Sequence, residues 1–184
     1  MTALDFFSRW RVRLGYLLAV VVLLLARPTP RSILLGAAAG VVGLAIRAYS
    51  AGYLHKQEVL TTTGPYAYTR NPLYFGSSIL AVGAAVAMRT WLAAAVILFY
   101  FAVVYAFVMR REEMELRGKH GAAFDTYAAG VPLFFPRLTR SSPPGGASGA
   151  FSWTQYKRNH EYEAPVGFLL FLILLAVLWR WRAL

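Results

Sequence analysis

No cysteine occurs in the 184 residues, which removes disulfides, thiolate metal sites and a thiol nucleophile, and leaves the redox compartment unread. Charge is scarce as well: 15% of the residues are Asp, Glu, Lys or Arg, where a soluble domain carries about 25%. The shortage falls on one sign, with 8 acidic against 19 basic side chains and a formal net charge of +11. No GxGxxG or GxxxxGK motif is present, so neither a dinucleotide fingerprint nor a P-loop can be read. No serine stands in a GxSxG setting. His55, His120 and His160 are too scattered for a metal site of recognisable spacing, and no metal is expected.

What the chain has instead is apolar length. Hydrophobic residues make up 58% of it, in runs near the 17 to 25 residues that cross a hydrocarbon core of roughly 30 Å. Without water to satisfy the backbone, such runs form helices. The expected fold is therefore all-α and polytopic, with about five transmembrane helices joined by polar loop and helix segments. Span one covers about Trp10 to Ala26 and stops at Pro28 and Pro30, which block helix continuation. Arg9, Arg11 and Arg13 before an apolar run would suit a signal peptide, but no small-residue cleavage site follows at Arg27-Pro28, so a retained helix is expected. Span two, about Ser32 to Tyr53, carries Gly36 and Gly40 one turn apart, a spacing that permits close helix approach and reads either as a packing face or as a glycine patch that contacts a cofactor.

Span three starts at Pro72, in the first-turn position that proline tolerates, and reaches about Met88. A tight turn at Arg89-Thr90 leads into span four, Trp91 to Met109. Beyond it comes an acidic turn, Arg110-Arg111-Glu112-Glu113, and a polar stretch to about Phe135 that reads as one short helix closed by Gly130 and Pro132. Residues 1–138 thus form a membrane core. The stretch 139–150, SSPPGGASGA with its flank, has the composition of a flexible linker. The remaining 151–184 give an aromatic, charged interfacial segment and a fifth span, Ala164 to Trp181, whose WRWRAL end suits the water–lipid boundary.

Counting Lys and Arg orients the chain. With the N-terminus inside, fourteen of the 19 lie on the inner face, and only Arg27, Arg31, Arg89, Arg180 and Arg182 on the outer. The positive-inside rule then puts residues 60–76 and Glu112 in the cytoplasm, most simply of a bacterial inner membrane. Anionic lipid is a sufficient partner for the excess positive charge, and nucleic acid is not required.

Polar groups converge at that inner face. In LTTTGPYAYTRNPLYFG, residues 60–76, Gly64-Pro65 marks a turn. Tyr66, Tyr68, Arg70, Asn71 and Tyr74 crowd a helix start, which reads either as an interfacial aromatic belt or as a site. Glu112 and Glu113 either mark a helix end or accept charge-assisted hydrogen bonds from ribose hydroxyls or an ammonium group. Arg47, one turn inside the end of span two, is either a snorkelling anchor or a fixed cation whose planar fork holds an anionic group.

GPYAYTRNPLYFG, followed after two spans by EEMEL and then HGAAFDTYAAGVPLFFPRL, resembles the membrane methyltransferases typified by isoprenylcysteine carboxyl methyltransferase and phosphatidylethanolamine N-methyltransferase. The likeness covers about Arg47 to Leu138, half the chain, and the ordered pair of motifs is what makes it specific. It implies S-adenosyl-L-methionine as cofactor, held by Leu60, Thr61, Tyr66, Asn71, Pro72, Leu73, Tyr74, Glu112 and Glu113. It also implies a role in substrate binding or catalysis for Arg47, which precedes AYSAG much as an arginine precedes TAG in the carboxyl methyltransferases; Arg70 is the other candidate cation. Asn71 stands where the family usually has histidine. The arginine that those enzymes place a turn before the glutamates falls near Val108, with Arg110 or Arg111 as substitutes.

The chemistry implied is in-line methyl transfer, in which alignment and exclusion of water supply most of the acceleration. An ionised carboxylate acceptor needs only a cation to orient it, whereas an amine or thiol must lose a proton. The expected partners are a lipophilic small molecule or lipid entering sideways from the bilayer, and membrane lipids. Two competing readings remain: a membrane sterol or enone reductase using NADPH, which the acidic pair disfavours, and a non-catalytic membrane subunit.

Overall fold

The computed structural model describes residues 13, 15, 17–55, 59–141 and 149–182. The beginning of the first expected span, and most of the SSPPGGASGA stretch, lie outside them. The described part of that span is helical over residues 17–25, helix α1. Then follow α2 (Pro30–Tyr53), a 3-10 turn (Gly64–Ala67), α3 (Pro72–Met88), α4 (Trp91–His120), α5 (Ala122–Gly130), α6 (Trp153–Arg158) and α7 (Glu163–Arg182). Three of these, α2, α4 and α7, are long and apolar enough to cross a membrane. The 17-residue α3 spans about 26 Å at 1.5 Å per residue, slightly short of a hydrocarbon core. All-α membrane architecture is thus what the chain adopts.

Each helix start has a local cause. Thr29 caps α2 in a capping box: its hydroxyl accepts from the Ser32 amide at 3.2 Å and the Ser32 hydroxyl accepts from the Thr29 amide at 2.9 Å. Such reciprocal bonds satisfy two amides that the helix itself cannot. Pro30 and Pro72 occupy first-turn positions of α2 and α3, where the missing N–H costs nothing. Arg89 closes α3 in the left-handed region, φ 54°, and with Thr90 makes the tight turn that folds α4 back beside it.

One boundary departs from expectation. The sequence suggests that α4 ends at Met109, with an acidic turn and a separate short helix after it. In the structure α4 runs unbroken to His120, breaks at Gly121 (φ 52°) and resumes as α5. Loss of apolar character marks where a helix leaves lipid, not where its backbone bonds end. The i,i+4 pair Arg111–Glu115, 2.9 Å, supports the extension.

The tightest packing is between α2 and α3, and it rests on glycine. A Cβ placed on Gly43 would stand 2.7 Å from the Gly76 carbonyl oxygen, and one on Gly83 would stand 2.7 Å from that of Gly36. Gly36, Gly43, Gly76 and Gly83 therefore form a seam of backbone contact; of the two glycines read from sequence, Gly36 lies in it, while a Cβ on Gly40 would meet the Phe168 ring of α7. At the end of the molecule away from Glu112, Val22, Ala26, Ala87, Met88, Ala93 and Leu175 form a core shared by α1, α3, α4 and α7. Gly83→Ala should lower stability by about 2 kcal/mol, because the methyl meets backbone that cannot rotate away. Denaturant unfolding of the purified protein would measure this, with exposed Val82→Ala as a near-neutral reference.

Candidate functional site

The seam also decides where Arg47 goes. It lies on the α2 stripe that carries Gly36, Gly40 and Gly43, so its stem enters the interface with α3. A Cβ on Gly76 would come within 2.7 Å of the Arg47 Cγ; glycine at that position opens the passage. At its far end the guanidinium donates to the Ser77 hydroxyl. It also donates through Nε to Glu161 Oε1 at 2.6 Å and through Nη2 to Glu161 Oε2 at 3.0 Å. Glu161 is buried, 6% exposed, so this is a two-pronged pair largely withdrawn from water, the geometry in which an arginine fork is strongest.

The loop at residues 60–76 and the acids of α4 meet. The Tyr74 hydroxyl donates to Glu112 Oε1 at 2.6 Å, and Arg70 pairs with Glu113. Burial pulls the Arg70 guanidinium below its usual range, although an arginine starts high enough to stay charged. The Tyr74 ring packs edge-on against Tyr105, 5.1 Å between centroids, and Tyr105 stacks on Phe101 at 4.4 Å. Phe101, Tyr105 and Glu112 recur at helical spacing along α4, giving an aromatic wall that ends in a carboxylate.

Tyr66 sits between these pairs. Its side chain is 6% exposed and its hydroxyl is buried with no partner among the described residues. Burial pushes its phenol well above the usual range, with Tyr127 and Glu112 adding to the shift. Burial likewise raises Tyr127, whose hydroxyl donates to the Tyr66 carbonyl at 2.8 Å. Both phenols therefore keep their protons at physiological pH. The Arg70 Nε is a second buried donor without a partner among the described residues. Unsatisfied buried donors are uncommon, and two of them beside the same carboxylates suit a ligand rich in acceptor oxygens.

The other expected site residues are placed as follows. Leu60 packs against Phe124, Tyr127 and Val131, and the Thr61 hydroxyl accepts from the His55 amide at 3.3 Å. Pro72 is buried in the first turn of α3, and the Leu73 carbonyl accepts from the Ser77 hydroxyl at 3.0 Å. Asn71 donates its side-chain amide to the Leu133 carbonyl at 3.0 Å. That bond belongs to a zipper with the VPLFFPR loop, in which the Arg70 amide donates to Pro132 O at 2.9 Å and the Thr69 hydroxyl to Phe134 O at 2.8 Å. Val108 is buried, 1% exposed. Of its two suggested substitutes, Arg111 faces Glu115, while Arg110 lines a groove of about 360 Å³ with Phe107, Glu113, Met114 and Arg117.

Sequence reasoning missed Glu161, Tyr127 and Thr69. Only for Tyr127 was a signal at hand, as part of the tyrosine-bearing HGAAFDTYAAG motif. Glu161 lies 114 positions from its partner, and nothing local marks it.

The profile of the phospholipid methyltransferase family matches residues 11–123. The nickel-cobalt-cadmium resistance protein NccN of Alcaligenes xylosoxydans xylosoxydans is 38% identical over 84 residues, 46% of this chain and 39% of that protein. The cobalt-zinc-cadmium resistance protein CzcN of Cupriavidus metallidurans is 33% identical over 108 residues, 58% of this chain and 48% of that protein. The chain spans less than half the length of these curated relatives. No solved structure matches.

Proposed function

The chain belongs to the phospholipid methyltransferase family, and from that premise we propose that it is an S-adenosylmethionine-dependent methyltransferase of the membrane, acting on a lipophilic acceptor at the cytoplasmic face. The observation that carries the reading is the meeting of Tyr74 with Glu112, and of Arg70 with Glu113, at the mouth of the α3–α4 hairpin. The cofactor fits the residues present. Its ribose and ammonium donors suit Glu112, and its carboxylate suits the Tyr66 hydroxyl and the Arg70 Nε, both buried donors without a partner among the described residues. The Tyr74–Tyr105–Phe101 wall offers aromatic faces to a sulfonium.

When bound, held by Glu112, Tyr66 and Arg70, S-adenosylmethionine would supply an electrophilic methyl carbon with a neutral sulfide as its leaving group. The chain's own residues hold and align. Glu112 and Tyr74 fix one side of the pocket through a bond inside the protein, so little reorganisation is left for the moment of reaction. Arg47 is held by Ser77 and Glu161 at the α2–α3 interface. Apolar helix faces around the opening admit an acceptor from the bilayer and keep water away from the reacting carbon.

Purified protein supplied with labelled cofactor and with added lipids and prenyl-thiol compounds should transfer label to the organic phase. S-adenosylhomocysteine should protect it against thermal unfolding and NADPH should not. Protection by NADPH alone, or transfer only to water-soluble acceptors, would overturn the assignment.

A further inference from the structure

A second cavity lies at the other end of the helices, away from Glu112. It has a volume of about 620 Å³ and is lined by Arg27, Arg89, Arg182, Thr29 and Trp179 together with apolar residues of α1. The backbone builds it. The Arg27 amide donates to Met88 O at 2.9 Å, tying the α1–α2 connection to the end of α3. Arg89 sits at the left-handed residue that closes α3. Arg182, on the last turn of α7, donates through Nη2 to Leu24 O at 3.3 Å and through Nη1 to Ala26 O.

The charge balance at this end is lopsided. Arg27, Arg31, Arg89, Arg180 and Arg182 all belong to it, and none forms an ion pair among the described residues. Every described acidic residue belongs to the other end: Glu112, Glu113, Glu115 and Asp125 on or beyond the end of α4, and Glu161 and Glu163 at the start of α7. Three guanidiniums around one cavity, with no carboxylate near them among the described residues, repel one another unless an anion joins them. The ends of α2, α3 and α7 lie where a spanning helix meets lipid headgroups, and Trp179 and Trp181 are side chains of that boundary.

We propose that this cavity binds the phosphate of an anionic membrane lipid, with Arg27 and Arg89 as its principal ligands and Arg182, anchored to the α1 carbonyls, closing one side. Guanidinium forks match phosphate oxygens in pairs, and the lipid's chains would lie along the exposed apolar faces of α1 and α7. The site is separate from the methyl-transfer pocket and stands whether or not that reading holds.

The test uses the full chain in detergent, with native mass spectrometry during titration of phosphatidylglycerol and of phosphatidylcholine. Wild type should bind one phosphatidylglycerol in preference to phosphatidylcholine. Arg27→Gln/Arg89→Asn, which keeps the Arg27 backbone bond and a residue tolerant of left-handed backbone, should bind it about a hundredfold more weakly, at about tenfold for each charged donor. Arg31→Gln/Arg180→Gln removes the same two charges from the same end but outside the cavity, Arg31→Gln alone matches Arg27→Gln, and each should change affinity less than about twofold. Circular dichroism confirms that each variant is helical, and Arg27→Gln alone serves if the double variant is not. Equal binding by wild type and the cavity variant, or equal weakening by its matched variant outside the cavity, overturns the proposal. Displacement of the lipid by inorganic phosphate at millimolar concentration assigns the cavity to the free ion and overturns the lipid.

Discussion

Glu112→Gln should reduce methyl transfer about a hundredfold while leaving the helical content unchanged. The substitution keeps an oxygen that can accept from Tyr74, now 2.6 Å away, but removes the negative charge and half of the acceptor capacity. A charged hydrogen bond contributes roughly 1.5–3 kcal/mol, and two such bonds to ribose or ammonium account for the expected factor. Tyr74→Phe keeps the carboxylate and removes only its orienting hydroxyl, so its loss should be smaller, about tenfold. Rates with labelled cofactor, together with the S-adenosylhomocysteine dissociation constant, separate the two variants: Glu112→Gln should act mainly on binding. A Glu112→Gln enzyme within twofold of wild type on both measures would place the cofactor elsewhere.

The second large effect concerns Glu161. Glu161→Ala leaves the Arg47 guanidinium, whose side chain is 21% exposed, without its counter-charge between α2 and α3. Removing one partner of a buried pair costs about 3 kcal/mol or more, so this variant should unfold at markedly lower denaturant. The double variant Arg47→Ala/Glu161→Ala removes the orphaned charge as well and should recover stability relative to Glu161→Ala alone. The double-mutant cycle then gives a coupling of about 2 kcal/mol or more. Additive losses would mean that the pair contributes nothing beyond its separate contacts. Glu161, with α6 before it and α7 after it, lies outside the family-matched residues 11–123, so the cycle also measures how firmly the C-terminal segment is joined to the family core.

The legible features were those with a local cause. Pro72 and the Arg89-Thr90 turn fix both ends of α3, whose observed range, Pro72–Met88, is the one read from sequence. The hairpin then brings Tyr74 to Glu112 by geometry alone, since two antiparallel spans of similar length return to the same side. Gly36 showed its packing role through spacing. The end of α4 was misread because hydropathy reports the solvent and not the backbone. The Arg47–Glu161 pair and the Asn71–Leu133 bond were illegible for another reason: each joins residues far apart in sequence, with no periodicity to connect them. Asn71 could be recognised as a replaced histidine, but its bond to the loop at 132–134 depends on a zipper that only the folded chain assembles.

The unbroken length of α4 has a mechanical consequence. Thirty residues make a rod of about 45 Å, half again as long as the hydrocarbon layer that it crosses, with Phe101 and Tyr105 in its greasy part and Glu112 just outside. A rod transmits tilt without damping. Thickening or thinning the bilayer, which spanning helices accommodate by leaning, should swing the acids of α4 relative to the short α3 beside them, so that lipid chain length is expected to act as a dial on how closely Tyr74 and Glu112 face each other.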